Sequence, residues 1–368
     1  MSNSTTWLTT LADTHSAGKV AFKPSAVGGL GGFALVDLAP GDIVFSIPYE
    51  LILTSQSNRV LEDAGVKLLE KDLNITLESC LFVYMAEHLK LAKNEYLLTL
   101  PKTSLPLVAS ELSGTNVGSQ VVKDNAEMVS QLAKIHALGG HKSLTLAQFV
   151  HSKFLYNSRR CPFAFGGLGG ERSMVHPRRR YDLTQGSLCP LLDVLNSKAG
   201  EKGEPRLSFD VSDPTILQVK TLVAIKKGKE LYNDYGCVSN NQSLLQFQYC
   251  DKALPAVFTV IVSGVTYDLT ALEVLPVQLT GDGGYGLHHH LSTKLKEMKG
   301  AKPSSNAEVK WYMRSQCELM NALLGKCDEL ILEDMQDRVH TEGEEEDGEE
   351  AGRDDAAIAQ PVLKKRRY

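Results

Sequence analysis

The sequence lacks any run of 18 consecutive apolar residues, and its amino terminus lacks a basic segment followed by an apolar stretch. A transmembrane helix needs an apolar run of about that length, and a secretory signal needs that amino-terminal order. We therefore expect a soluble intracellular protein with no membrane partner.

Metal-ligand patterns are also missing. The seven cysteines form no Cys-x-x-Cys pair and have no histidine at the spacing that zinc sites use. The sequence thus predicts no metal site. In an intracellular protein, scattered cysteines are expected to be reduced and mostly buried thiols.

The chain has little net charge, −5 over 368 residues. Nine acidic and five basic residues lie between Thr341 and Tyr368, so the rest of the chain is almost neutral. Broad nucleic-acid binding requires a basic surface, and no direct nucleic-acid partner is expected. A hydrophobic content of 43% indicates a globular protein, and this length predicts two or three domains.

Segments 33–48 and 221–232 share one pattern, in which two apolar runs flank a turn. The turn is Ala-Pro-Gly-Asp in the first and Lys-Lys-Gly-Lys in the second, so each segment is expected to form two strands joined by a tight turn. Between them, apolar residues recur at helical spacing, and Thr145 with Gln148 forms a capping box that begins a further helix. The residues at helical spacing are Leu77, Leu81, Tyr84, Met85 and Leu89, then Val121, Asn125, Met128, Leu132 and Ile135.

The carboxyl-terminal third is expected to be mainly helical. A short strand is predicted within 257–269, and Ser305 with Glu308 forms a second capping box that starts one long amphipathic helix. Beyond about residue 337 the acidic sequence has no apolar periodicity and predicts disorder. The expected division is a β-rich domain in two parts, 1–60 and 149–252, separated by a helical insertion, 61–148, and followed by a helical lobe, 253–336, and a tail, 337–368.

A glycine-rich loop, Gly28-Gly29-Leu30-Gly31-Gly32, precedes the first of these strands. A dinucleotide-binding loop needs a strand before its glycines and a helix after them. Here an apolar run, 33–36, leads to Pro40-Gly41, so the glycines lead into a strand and a dinucleotide site is not expected. Glycines without a Cβ let the backbone approach a flat ligand closely. A plain turn is the alternative for this loop taken alone.

Two further motifs occur in a fixed order about 40 residues apart. Pro190-Leu-Leu-Asp193-Val-Leu-Asn196 comes first, and Tyr235-Gly236 followed by Asn241-x-x-Leu-Leu comes second. Together with Gly-Leu-Gly-Gly-Phe-Ala at 29–34, they resemble the SET-domain proteins. The resemblance is to the subgroup with a split SET domain, typified by the Rubisco large-subunit, ribosomal-protein and elongation-factor lysine methyltransferases.

The resemblance implies an α+β fold. Small curved SET-domain β-sheets surround a knot-like threading of the carboxyl-terminal part, and a helical insertion and a helical carboxyl-terminal lobe complete the chain. Such threading is exceptional among proteins; it is expected here from the family alone.

The resemblance also implies S-adenosylmethionine-dependent transfer of methyl groups to the side-chain amine of lysine in a protein substrate. Tyr235 is the expected catalytic residue, and Tyr249 is expected to line the lysine channel. Arg159 is expected to pair with the carboxylate of the cofactor; the alternative is that Arg159 and Arg160 cap a helix end. The residues expected to bind the cofactor are Gly28, Gly29, Leu30, Gly31, Arg159, Asp193, Asn196, Ser197 and Tyr235.

Two positions depart from the family pattern. Ser197 stands where the family has histidine, and Tyr249-Cys250-Asp251 stands where Tyr-Gly-Phe is usual. A binding module that keeps the SET fold with weakened catalysis therefore stays open as an alternative. Methylation of a histidine, which the resemblance to this subgroup also allows, is a further alternative. The sequence has no cysteine cluster after the SET motifs, which favours non-histone targets, such as ribosomal or translation proteins, over histones.

Three charged clusters remain. Lys364-Lys-Arg-Arg367 is either a nuclear import signal or a solvated terminus, so the expected location is the nucleus, the cytoplasm or both. Arg178-Arg179-Arg180, with Arg172 and His176 nearby, is expected to be a solvated loop or a site for an acidic partner. His288-His289-His290 is expected at the surface, because three adjacent histidines on a regular element cannot all face one ion.

Overall fold

A computed structural model describes most of the chain. The described residues are 3–26, 28–54, 60, 75–91, 94–101, 106–139, 141–161, 163–164, 173–174, 186–197, 206–210, 212–213, 215–233, 235, 237, 239–271, 273–280 and 284–345. Among them, no helix is both long and apolar enough to cross a membrane.

The helices lie mainly between the two β-rich parts and in the last third of the chain. They are α1 (Asn3–His15), α2 (Leu77–Leu91), α3 (Glu95–Thr99), α4 (Asn116–Ala137), α5 (Leu146–Arg159), α6 (Asn240–Phe247), α7 (Tyr285–Lys299) and α8 (Ala307–Glu345).

The strands are short and form small antiparallel sheets, with the orders β1-β2-β11, β3-β10-β9, β4-β8-β5, β6-β7 and β12-β13. They are β1 (Val20–Pro24), β2 (Leu30–Ala34), β3 (Ile43–Pro48), β4 (Leu53–Thr54), β5 (Arg160–Cys161), β6 (Phe163–Ala164), β7 (Ser173–Met174), β8 (Ser187–Leu188), β9 (Leu207–Asp210), β10 (Ile216–Thr221), β11 (Glu230–Leu231), β12 (Phe258–Val262) and β13 (Val265–Leu269).

The two segments with the shared strand-turn-strand pattern pair with each other. β2 pairs with β11, and β3 pairs with β10, so the two strands of each segment lie in different sheets. Each segment has two strands, one on either side of its turn, as predicted, but the two strands of a segment do not pair with each other. The reason lies in the turns: Asp37 accepts from the Lys227 N–H at 2.8 Å, and the Gly41 N–H donates to the Thr221 carbonyl at 2.7 Å. Each turn thus places a backbone N–H group against an acceptor on the other segment.

A hairpin of β9 and β10 lies between Asn196 and Tyr235 in the chain. The segments that flank the hairpin lie side by side, because Ser197 bridges to Asn233 in parallel and the Asn233 N–H donates to the Asn196 carbonyl at 2.9 Å. This pairing brings Tyr235 close to the segment that carries Asn196.

The helical insertion follows the predicted periodicity. Every residue from 80 to 86 of α2 is buried, as expected of a helix that is apolar on all faces. The capping box at Thr145 and Gln148 begins α5 as predicted. α5 packs beside α2 and leads into β5, so its end is held against the β-rich domain.

The carboxyl-terminal lobe differs from expectation in detail. The predicted short strand is a hairpin of β12 and β13. α8 begins after Asn306, which accepts from the Glu308 N–H at 2.8 Å, so the predicted capping box at Ser305 is wrong. Glu308 instead accepts from the Cys250 N–H at 2.9 Å and fastens the lobe to the β-rich domain. α8 continues to Glu345, past the predicted start of the tail at residue 337.

Candidate active site

One cleft of about 480 Å³ lies between the glycine-rich loop, the end of α5, the segment 193–197 and the end of α6. Ligand sites typically have volumes of roughly 300–1,000 Å³. Nine of the residues singled out from the sequence line it, and Gly31 lies behind it against Glu230. The lining residues are Leu8, Gly28, Gly29, Leu30, Thr99, Pro101, Phe154, Ser158, Arg159, Asp193, Val194, Asn196, Ser197, Tyr235, Phe247 and Tyr249.

The glycine-rich loop leads into β2, and glycines occupy the positions at which its backbone packs most closely against neighbouring residues. Gly28 and Gly29 have φ values of 140° and 59°, which other residues rarely adopt. A Cβ on Gly31 would overlap Glu230 Oε1 and come within 3.1 Å of Asn196 Nδ2, and one on Gly32 would lie 2.5 Å from Leu195. Glycine at 31 and 32 therefore lets the 193–197 segment pack directly on the backbone of β2.

We predict that Gly31→Ala weakens ligand binding in this cleft at least tenfold, because the methyl group must displace the Glu230 carboxylate and the Asn196 amide. Gly325→Ala is the matched control, since its Cβ would meet nothing within 4 Å on α8. That substitution should leave binding unchanged and raise helix stability by up to about 1 kcal/mol. Equal binding by Gly31→Ala and the parent protein, measured by calorimetry, would contradict the prediction.

Asn196 is held by two hydrogen bonds from its amide nitrogen. Nδ2 donates to the Leu30 carbonyl at 3.2 Å and to Glu230 Oε1 at 2.8 Å. Glu230 also accepts from Ser25 Oγ at 2.9 Å and from the Tyr232 hydroxyl at 3.0 Å. Sequence reasoning missed Glu230; the available signal was an acidic residue inside the short strand that precedes the Tyr235 motif.

Asp193 is the buried carboxylate of the site, with its side chain 1% exposed. Arg159 Nη1 donates to its backbone oxygen at 3.2 Å and to Oδ2 at 3.4 Å, and the Tyr96 hydroxyl donates to Oδ2 at 3.0 Å. Burial raises the pKa of Asp193 above its ordinary value, and the Arg159 charge opposes that shift. Oδ1 has no hydrogen-bond partner among the described residues.

The structure revises the expectation for Arg159. Its guanidinium bonds Asp193, so Arg159 does not cap the end of its own helix. Part of its hydrogen-bonding capacity is therefore used within the protein. The predicted pairing of Arg159 with a cofactor carboxylate stays a prediction. Tyr96, which brings the helical insertion into the site through Asp193, was given no role from the sequence.

Tyr235 is fixed on both sides of its ring. It stacks on Phe247, with ring centroids 4.4 Å apart and planes inclined by 24°, and its hydroxyl donates to the Leu195 carbonyl at 2.9 Å. Burial raises its pKa well above the ordinary value for tyrosine, so the phenol is neutral at physiological pH. Phe247 carried no recognisable pattern in the sequence, because its role depends on how α6 packs.

Of the segments that contain the two departures from the family pattern, Ser197 and Tyr249 line the cleft. Ser197 Oγ accepts from the Tyr235 N–H at 3.4 Å, so the serine hydroxyl links the two paired segments. Burial, together with the charge of Asp251, raises the pKa of Tyr249 to about 12. Tyr249 therefore also presents a neutral phenol to the cleft.

Other candidate clusters lie elsewhere. His289 and His290 are exposed on α7, and His288 Nε2 lies 3.2 Å from Asp328 Oδ1. Within the described part of the chain, no group of three or more His, Cys, Asp or Glu side chains is arranged to hold a metal ion. Arg172, His176 and Arg178 to Arg180 lie outside the described residues.

Asn241 of the second motif acts at the domain junction. Its Oδ1 accepts from the Tyr312 hydroxyl at 2.7 Å, and its Nδ2 donates to the Val257 carbonyl at 3.0 Å. The neighbouring Asn240, fully buried, donates to the carbonyls of Asp251 and Leu254. These bonds hold α6 between the cleft and the carboxyl-terminal lobe, and α6 in turn carries Phe247.

The chain is similar in sequence to a known lysine methyltransferase. No protein-family model matches the chain. It is 27% identical over 237 residues to the ribosomal lysine N-methyltransferase set10 of Schizosaccharomyces pombe, and the match covers 58% of this chain and 38% of that relative. The chain thus spans well under half of that relative's length.

Solved structures of Rubisco LSMT superpose over nearly the whole chain. The SET domain of LSMT bound to lysine and AdoHcy has a TM-score of 0.66 at 13% identity, covering 90% of this chain and 92% of the other. Rubisco LSMT bound to AdoMet has a TM-score of 0.64 at 14% identity, covering 90% and 93%. The α+β prediction with a helical insertion is confirmed, and the chain has the SET-domain fold of the Rubisco LSMT group.

Proposed function

We propose that the protein transfers methyl groups from S-adenosylmethionine to the side-chain amine of lysine in a protein substrate. The observation that carries the proposal is the meeting of the glycine-rich loop, Asn196 and Tyr235 in one cleft. Two findings support it: structural neighbours hold AdoMet, or lysine with AdoHcy, and the curated relative is named a lysine methyltransferase.

The cleft fits this cofactor. Its volume is about 480 Å³, a Cβ on Gly31 or Gly32 would displace the residues behind the loop, and Asp193 Oδ1 lacks a partner among the described residues. Gly28, Gly29 and Leu30 would hold the cofactor from one side, and Asn196 and Ser197 from the other. The cofactor supplies an electrophilic methyl group on a sulfonium.

The residues of the chain position the amine. Transfer requires a neutral amine in line with the methyl group and shielded from water. The neutral phenol of Tyr235 and the Leu195 carbonyl beside it orient the amine without adding a charge that would compete with the reaction. Tyr249 also lines the cleft, and the apolar side chains of Leu8, Phe154 and Phe247 exclude water.

The proposed substrates are ribosomal or translation proteins, and the name of the curated relative supports that choice. The proposal is tested by calorimetric titration with S-adenosylmethionine, followed by incubation with ribosomes, histones and the radiolabelled cofactor. Expected results are saturable binding and label in a ribosomal lysine, located by mass spectrometry. Absence of cofactor binding would leave a SET-fold binding module, and label on histidine would make the protein a histidine methyltransferase.

We further propose that the basic run 364–367 directs part of the protein to the nucleus, with the remainder in the cytoplasm. A chain that ends at Glu345 keeps α8 whole. It should methylate a purified substrate at the parent rate, while its fluorescent fusion shifts toward the cytoplasm. Identical distribution of the full-length and shortened fusions would contradict the import role, and lost activity would show that 346–368 contacts the substrate.

A further inference from the structure

Glu230 lies at the meeting point of three segments that form one wall of the cleft. Its Oε2 accepts from Ser25 Oγ, before the glycine-rich loop, and from the Tyr232 hydroxyl, in the segment that leads to Tyr235. Its Oε1 accepts from Asn196 Nδ2 at 2.8 Å. The carboxylate occupies the space that a side chain on Gly31 would fill.

The bond to Glu230 decides which face of the Asn196 amide meets a ligand. An asparagine side chain has two N–H donors and one oxygen acceptor. Both hydrogens are engaged, one by the Leu30 carbonyl and one by Glu230. Asn196 lines the cleft, and its oxygen Oδ1 is the polar atom left for a ligand. A ligand group there must donate a hydrogen bond, and a charged ammonium makes the strongest such bond to an amide oxygen.

We propose that Glu230 is a positioning residue, which orients Asn196 so that its amide oxygen accepts from the ammonium group of the cofactor's amino-acid portion. This inference rests on the proposed function. Glu230 contacts the ligand only through Asn196. A carboxylate only accepts, whereas a glutamine in its place also offers N–H donors. The Asn196 amide can then rotate by half a turn to accept from the glutamine, and it presents N–H donors to the ammonium, which repels them.

The test uses three probes that differ in their charged groups. S-adenosylmethionine carries the ammonium and the carboxylate, decarboxylated S-adenosylmethionine carries the ammonium alone, and 5′-methylthioadenosine carries neither. Calorimetry on the full chain should show Glu230→Gln binding the first two probes about tenfold more weakly than the parent, the size expected for one hydrogen bond to a charged group. Affinity for 5′-methylthioadenosine should be unchanged.

Glu318→Gln is the matched control, because Glu318 is exposed on α8 and lies outside the cleft. It should bind all three probes like the parent. Parent-like binding by Glu230→Gln would overturn the inference, as would equal weakening of all three probes, which would indicate a collapsed cleft. If the parent itself does not bind S-adenosylmethionine, the proposed function fails and the inference fails with it.

A second measurement needs no ligand. The side-chain amide resonance of Asn196, identified by its loss in Asn196→Asp, should move in Glu230→Gln and stay in place in Glu318→Gln. An unmoved resonance in Glu230→Gln would show that the carboxylate does not hold the amide, whatever the protein binds.

Discussion

Replacement of Tyr235 by Phe should lower the turnover number of methyl transfer by about 100-fold or more, while cofactor affinity and folding stay close to those of the parent. A preorganised hydroxyl or amide beside the reacting group typically accounts for 10²–10³ in rate. The stacking on Phe247 does not need the hydroxyl, so the ring keeps its place. Only the group that bonds the Leu195 carbonyl is lost.

Single-turnover kinetics and calorimetry separate these effects. Tyr285→Phe, the same chemical change on the exposed amino-terminal end of α7, is the control and should behave like the parent. A Tyr235→Phe variant that methylates at the parent rate would remove Tyr235 from the catalytic role. Loss of cofactor binding together with activity would show instead that the hydroxyl holds together the two segments that carry Asn196 and Tyr235.

Replacement of Asp193 by Ala should lower the free energy of unfolding by about 3 kcal/mol, the lower end of the range for breaking a buried ion pair. The lower end applies because Arg159, left unpaired, is 24% exposed and partly solvated. The Tyr96 hydroxyl also loses its acceptor, so the helical insertion loses a link to the site. Urea denaturation measures the change.

Asp210→Ala is the control for this prediction. Asp210 forms an ion pair with Lys220 at 2.7 Å, but both side chains of this pair are about one-third exposed. Exposed pairs contribute little to stability, so its loss should be clearly smaller. Equal losses for the two variants would contradict the buried role of Asp193.

Asp193 should also make stability depend on pH in an unusual direction. Because its pKa is raised above 3.8 in the folded protein, the folded state binds the proton more tightly than the unfolded chain. Its contribution to stability therefore falls as pH rises from about 3.8 through the raised pKa, and then levels off. The stability of the parent relative to Asp193→Asn should decrease over that interval; an increase would show that Arg159 outweighs burial.

Local sequence was sufficient for elements whose signals lie within a few residues. The capping box at Thr145 and Gln148 begins α5, and the apolar spacing of 77–89 falls within α2. The same reasoning was wrong at Ser305, because Asn306 caps α8 while Glu308 bonds Cys250 on another domain. A cap is decided by which acceptor reaches the free N–H groups, and tertiary contacts can remove the expected partner.

The sequence by itself determined the alternation of strand-rich and helical parts, the SET resemblance and nine of the residues that line the cleft. Only the tertiary structure decided how the strands pair, because the strands of each strand-turn-strand segment find their backbone partners on the other segment. It also decided which residues hold the side chains of the site. Glu230 bonds Asn196, Tyr96 bonds Asp193, and Phe247 stacks on Tyr235. These contacts join residues about 12 to 97 positions apart, beyond the reach of any local pattern.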